Sequence, residues 1–239
     1  MKFNHNDFSN LLNFYKIQDN FPDNAKKCFE KISEVSKSNK GRSLINDDKY
    51  VFNLDNMCYN SYLKDNCSPK DNPSCVDALY FKKNKLYLIE FKGTSMFTLD
   101  LKVIIDECIK KIKNDDELVS NLEFIKKRYD DEIICKLKIK PSDALFLALP
   151  QIYKYYCEKE NIKYDNSEFF SWLLDVPKKL YFVFSDNTFN SEKNKSKGYK
   201  HNMRHKLEKR CSFFKALAKM ECLIITATIF KNDFLKEIY

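Results

Sequence analysis

Only three glycines, at 41, 93 and 198, occur in the 239 residues of this chain. A phosphate-cradling loop or a dinucleotide-binding turn needs several glycines at fixed offsets, and neither pattern is present; a GxSxG elbow is missing too. That scarcity argues against ATP-driven and serine-hydrolase chemistry. Long apolar runs are also lacking. The longest, Cys222 to Phe230, falls far short of the ~20 residues that span a bilayer and is expected to be a buried strand. The first residues, MKFNHNDFSN, have no apolar core of the kind a secretory signal needs. Nine cysteines, an odd number without CxxC pairs, then read as free thiols in a reducing compartment. The expectation is a cytoplasmic protein with no membrane association.

What is present suffices for a real core. Hydrophobic residues make up 44% and aromatic residues 15%, which excludes wholesale disorder, and the length suits a single domain over 1–239. The net charge of +8 is concentrated in one place: the ten cations and two acids between Ser191 and Lys219 account for all of it, and the rest of the chain is close to neutral. Lys195, Lys197, Lys200, Arg204, Lys206 and Arg210 belong to this stretch, with Tyr199, Phe213 and Phe214 interleaved. A cationic cluster of this kind grips a nucleic-acid backbone by releasing its counterions. A solvated loop and helix face is the plainer alternative.

The segment Val76–Gly93, VDALYFKKNKLYLIEFKG, carries the chemistry. Two apolar runs, 78–81 and 86–89, flank Lys82-Lys83-Asn84-Lys85, a short polar turn, and so form a β-hairpin. With the turn centred on Lys83-Asn84, partner numbers sum to 167: Phe81 faces Leu86, Leu79 faces Leu88 and Asp77 faces Glu90. Alternation puts these residues and Lys92 on one face, with Tyr87, Ile89 and Phe91 on the other. Two carboxylates directly opposed on a sheet repel, and a shared divalent cation would offset the repulsion; Mg²⁺, a hard ion, takes oxygen ligands. Lys92 then stands beside the metal, placed to hold a water or a phosphate oxygen.

Asp77 followed by Glu90-Phe91-Lys92 resembles the PD-(D/E)xK nuclease superfamily, with Val76 in place of the proline. The resemblance implies that Asp77 and Glu90 bind Mg²⁺ (or Mn²⁺), with the carbonyl of Phe91 as a third ligand, and that Lys92 orients or helps deprotonate the attacking water. It also implies an α/β fold of the restriction-endonuclease-like kind, with a central mixed sheet of about five strands flanked by helices. The substrate class it implies is DNA, with RNA as a second option and endonucleolytic action favoured; a homodimer would serve to cut both strands. A non-catalytic nucleic-acid-binding protein that uses the 191–219 segment is the rival reading. A basic assembly protein is a third.

The rest of the chain yields a matching element order. A helix is expected over Pro22–Ser38, with Glu30 and Glu34 on its exposed side, then a strand at Tyr50–Leu54, a loop over 58–74, and the hairpin. A helix follows at Leu99–Lys113, with Lys102, Asp106 and Glu107 on its surface, and another runs to about Tyr129. Glu132–Ile139 reads as a strand or irregular connection, and Pro141-Ser142-Asp143 as a helix start, with a division at Pro150. A short helix at Ser167–Leu174, a strand at Lys179–Ser185, a helix at His201–Lys219 and the strand at Cys222–Phe230 complete the order. The core then covers about 22–230, with a helical insertion at about 114–176. His201, His205 and Cys211 lack a fourth zinc ligand, and Cys58, Cys67 and Cys75 are expected to be plain thiols rather than a metal loop.

Overall fold

A computed structural model of the chain describes residues 2–20, 26–38, 41–63, 73–92, 99–112, 115–186 and 197–238. The fold is mixed α/β: a six-stranded sheet in the order β1-β2-β3-β4-β5-β6, flanked by helices. Its strands are β1 (Phe29–Lys31), β2 (Tyr50–Asn53), β3 (Ala78–Lys82), β4 (Lys85–Lys92), β5 (Lys178–Phe184) and β6 (Met220–Thr226). The first four form an antiparallel meander, whereas β4, β5 and β6 run parallel. Parallel neighbours need crossovers, and these are helical. Between β4 and β5 lie α4 (Leu99–Lys111), α5 (Asp116–Asp143), a π-helical turn (Ala144–Ala148), α6 (Leu149–Glu160) and α7 (Asn166–Asp175); between β5 and β6 lies α8 (Lys197–Ala218).

The hairpin has the expected register. Phe81 pairs with Leu86 and Leu79 with Leu88, and both turn residues have left-handed backbones, φ 50° at Lys83 and 58° at Asn84. Two successive positive-φ residues make a type I′ turn, whose twist matches that of the strands it joins.

Both faces of the central strands are covered, so β4 and β5 read as nearly continuous apolar runs. On one face Leu86, Leu88, Leu180, Phe182 and Phe184 join the core made by α6, α7, α8 and the first helix, α1 (His5–Gln18). On the other, Tyr87, Ile89, Phe91, Tyr181 and Val183 pack on Phe230 and Phe234 of α9 (Ala227–Ile238). Those two phenylalanines, fully buried and stacked at 4.5 Å, each contribute roughly 1.5–3 kcal/mol by burial.

Several expectations fail. The span Pro22–Ser38 is no continuous helix: Phe29–Lys31 forms edge strand β1, raising the strand count from five to six, and among the described residues of the span only Ile32–Val35 (α2) is helical. The true first helix, α1, starts where the polar beginning hid a capping box. Asn4 Oδ1 accepts from the backbone N–H groups of Asn6 and Asp7, while the Asp7 carboxylate accepts from Asn4 N–H at 2.8 Å. Glu132–Ile139 is not a strand but the interior of α5. Pro141 does not start a helix; it lies inside α5, and the backbone widens three residues later into the π turn. Pro150 then occupies the first turn of α6, where its missing N–H costs nothing. Finally, β6 stops at Thr226 rather than running to Phe230. The Asp186 carboxylate accepts from the N–H and hydroxyl of Thr228 (3.0 and 2.9 Å), starting α9, which closes a face the longer strand would leave open.

Candidate active site

The end of β4 is where the charges gather. Leu86, Leu88, Glu90 and Lys92 alternate along one face, and the antiparallel neighbour β3 begins beside that end, so Asp77, one residue ahead of β3, arrives next to Glu90. Asp77 Oδ2 accepts the backbone N–H of Phe91 at 2.6 Å, which continues the hairpin ladder by a side chain. A residue's N–H and C=O point to the same side of a strand, so the Phe91 carbonyl also faces the β3 edge. The Phe91 ring lies on the opposite face, edge-on to Phe230.

Glu90 is fully buried, a rare state for a carboxylate. Lys92 makes an ion pair with its Oε1, as the strand spacing requires. A second cation, not foreseen from the sequence, joins it. Lys140, near the C-terminal end of α5, lies 2.8 Å from Glu90 Oε1 and 3.5 Å from Asp77 Oδ1, and so bridges the two carboxylates. Neither ammonium meets Oε1 with hydrogen-bond geometry, and Oε2 is buried with no hydrogen-bond partner among the described residues.

The electrostatics follow from this packing. Burial, then the charge of Asp77, pushes the Glu90 carboxyl up to about 7, against the pull of Lys92 and Lys140. Burial opposes the charge on Lys140, but Glu90 and Asp77 outweigh it and hold that lysine above its ordinary value. A third carboxylate, Asp55 of α3 (Leu54–Cys58), directly after β2, interacts with Asp77, Lys140 and Lys92. The surrounding protein and then Asp77 raise it to about 6. Because Asp55 keeps solvent contact, screening trims that shift, and Glu90 is the sharper anomaly.

Other candidates do not join the site. Glu30, on β1 rather than a helix, is half-buried and accepts from the side chains of Asn53 (2.8 Å) and Asn56 (2.9 Å). Glu34 pairs with Lys37 on the surface and Asp106 with Lys126. His205 is exposed while Cys211 is buried. Cys58 and Cys75 lie side by side, sulfurs 3.9 Å apart, as buried free thiols; Cys67 falls outside the described residues. Of the basic stretch, Lys195 falls outside the described residues, as does Gly93. Lys197, Lys200, Arg204, Lys206 and Arg210 all lie on α8, and Lys206 is half-exposed.

No local sequence pattern singles out Lys140 or Asp55 for the site. Within α5, Leu137 and Pro141 are buried, the buried stripe continues through Ala144 and Ala148 of the π turn, and Lys140 lies at its edge.

Among the described residues, no three His, Cys, Asp or Glu side chains form a ready-made metal cage. Mg²⁺ needs none: it is held by one or two carboxylates and keeps waters or phosphate oxygens as its other ligands. Two opposed carboxylates with an unpartnered buried oxygen, Glu90 Oε2, fit such an ion. Among the described residues no helix is long and apolar enough to cross a membrane. No family model, curated protein or solved structure matches the chain.

Proposed function

We propose that the chain is a Mg²⁺-dependent nuclease of the PD-(D/E)xK type that hydrolyses phosphodiester bonds in DNA, as an endonuclease. The observation that carries the reading is the meeting of Asp77, Glu90 and Lys92 at the end of β4, around a fully buried carboxylate with a free oxygen. A second support is the element order β2-β3-β4, helices, β5, helix, β6, which resembles the α-β-β-β-α-β core of that superfamily with one added helix and strand.

Asp77 and Glu90 would hold the metal, with the Phe91 carbonyl as third ligand. A metal held there would supply Lewis-acid charge at a phosphate oxygen and would acidify a water. Asp77 is fixed by the Phe91 N–H, so its remaining oxygen, Oδ1, keeps one direction, toward the site. Lys92, 18% exposed, stands between Glu90 and solvent, where it can orient the attacking water and take part in its deprotonation. The cations of α8 and the stretch before it would grip the nucleic-acid backbone and position the scissile phosphate without reading bases.

The rival, a nucleic-acid-binding protein that does not cut, draws on Lys140, which already neutralises the two carboxylates without a metal. A cleavage assay separates the two readings, using supercoiled plasmid, single-stranded DNA and RNA with Mg²⁺ or Mn²⁺. Asp77→Ala is expected to abolish cleavage, and Lys92→Ala to slow it by about 10²–10⁴-fold. Unchanged rates in both variants would remove these residues from the mechanism; tight binding with no metal-dependent cleavage would establish the rival.

A further inference from the structure

We infer that Lys140 is a displaceable internal counter-ion, holding the position between Asp77 and Glu90 that a divalent cation takes when the site is loaded, so that α5 sets how tightly the metal binds. The inference rests on the reading of Asp77 and Glu90 as metal ligands.

Three observations point to it. Lys140 reaches both carboxylates, at 2.8 Å and 3.5 Å, as a shared cation would. Lys92 meets Glu90 from its own strand, so the bridging role falls to the residue from α5. The Asp77 oxygen that faces Lys140 is Oδ1, the one that the Phe91 N–H leaves free. An ammonium and a divalent cation cannot both occupy the position between Asp77 and Glu90, because like charges in one spot of a partly buried site repel strongly. Loading the site must therefore turn the Lys140 ammonium outward, and at 19% exposure it has a path to water. The backbone need not move, since α5 is anchored on either side of Lys140 by its own buried residues Leu137 and Pro141.

Removing the charge removes the competitor. Mn²⁺ binding, counted by the loss of the free-ion electron paramagnetic resonance signal, is compared in the wild type, Lys140→Gln, Lys140→Arg and Asp77→Asn. Lys140→Gln is expected to bind about tenfold more tightly than the wild type or better. Lys140→Arg should keep the wild-type affinity, and Asp77→Asn should lose binding. Equal affinities in the wild type and Lys140→Gln, with binding lost in Asp77→Asn, would overturn the counter-ion while leaving the metal site standing. No Mn²⁺ binding by either the wild type or Lys140→Gln would overturn both, the fault then lying with the metal reading. A second measurement uses the wild type alone and so does not depend on the variant folding. Acetic anhydride labelling of Lys140, read by mass spectrometry, is expected to rise when Mn²⁺ is added; labelling that does not change contradicts displacement.

Discussion

Glu90 and Lys178 are the two charged side chains buried among the described residues, on adjacent parallel strands, and they are held in opposite ways. Lys178, the first residue of β5, donates to the carbonyls of Leu174 (3.3 Å), Val176 (2.6 Å) and Ala218 (2.8 Å). Its three protons are thus matched by three oxygens at the C-terminal ends of α7 and α8, where helix dipoles favour a cation. Burial, then Lys219, lowers its pKa to about 8, which still leaves an ammonium at neutral pH. Glu90 has two cations crowding one oxygen and, among the described residues, no hydrogen-bond partner on the other. A buried charge whose every valence is filled is a fastener; one left with an unfilled oxygen and a raised pKa is what the proposed ligand site would require.

That contrast can be broken by mutation. Lys178→Met removes the fastener and strands three carbonyls, and is expected to cost about 2–5 kcal/mol in urea denaturation while leaving cleavage per folded molecule unchanged. A neutral effect on stability would erase the distinction.

Glu90 should behave in the reverse way and show it through pH. Its folded-state pKa of about 7 lies above the ordinary 4.5, so between those values the native protein keeps a proton that the unfolded chain has released. Stability therefore falls as pH rises from about 4.5 to about 7, by about 2–3 kcal/mol. In Glu90→Gln that fall should disappear, making the variant the more stable protein at pH 8. Denaturation curves at several pH values check this, and parallel profiles for wild type and variant would mean that Glu90 titrates normally.

How much of this was visible in the sequence depends on the range of the interactions involved. The hairpin was legible down to its register because everything that fixes it lies within sixteen residues: two apolar runs, and a Lys83-Asn84 turn that admits positive φ. Lys92 beside Glu90 followed from strand alternation alone. Edge strand β1 was not legible, because three residues carry no period, and the spacing of Ile32 and Val35, which belong to the short α2, extends back over them. Region 132–139 misled for a related reason: a short apolar pattern inside a long polar helix suits either structure, and Pro141 suggested a start where the chain accommodates it with a π turn. Lys140 was out of reach in principle. Its role comes from tertiary packing that lays α5 over the end of β4, fifty positions away in sequence, and no local pattern encodes that contact.

The central claim is that the end of β4 is a metal-dependent hydrolytic centre built on Glu90. Its most direct test follows supercoiled plasmid with the wild type and Glu90→Gln, each with Mg²⁺ and again with excess EDTA. The account predicts nicking by the wild type that EDTA stops, and none by Glu90→Gln, whose fold the denaturation curves above check. Cleavage that survives EDTA, or that Glu90→Gln retains, would contradict it.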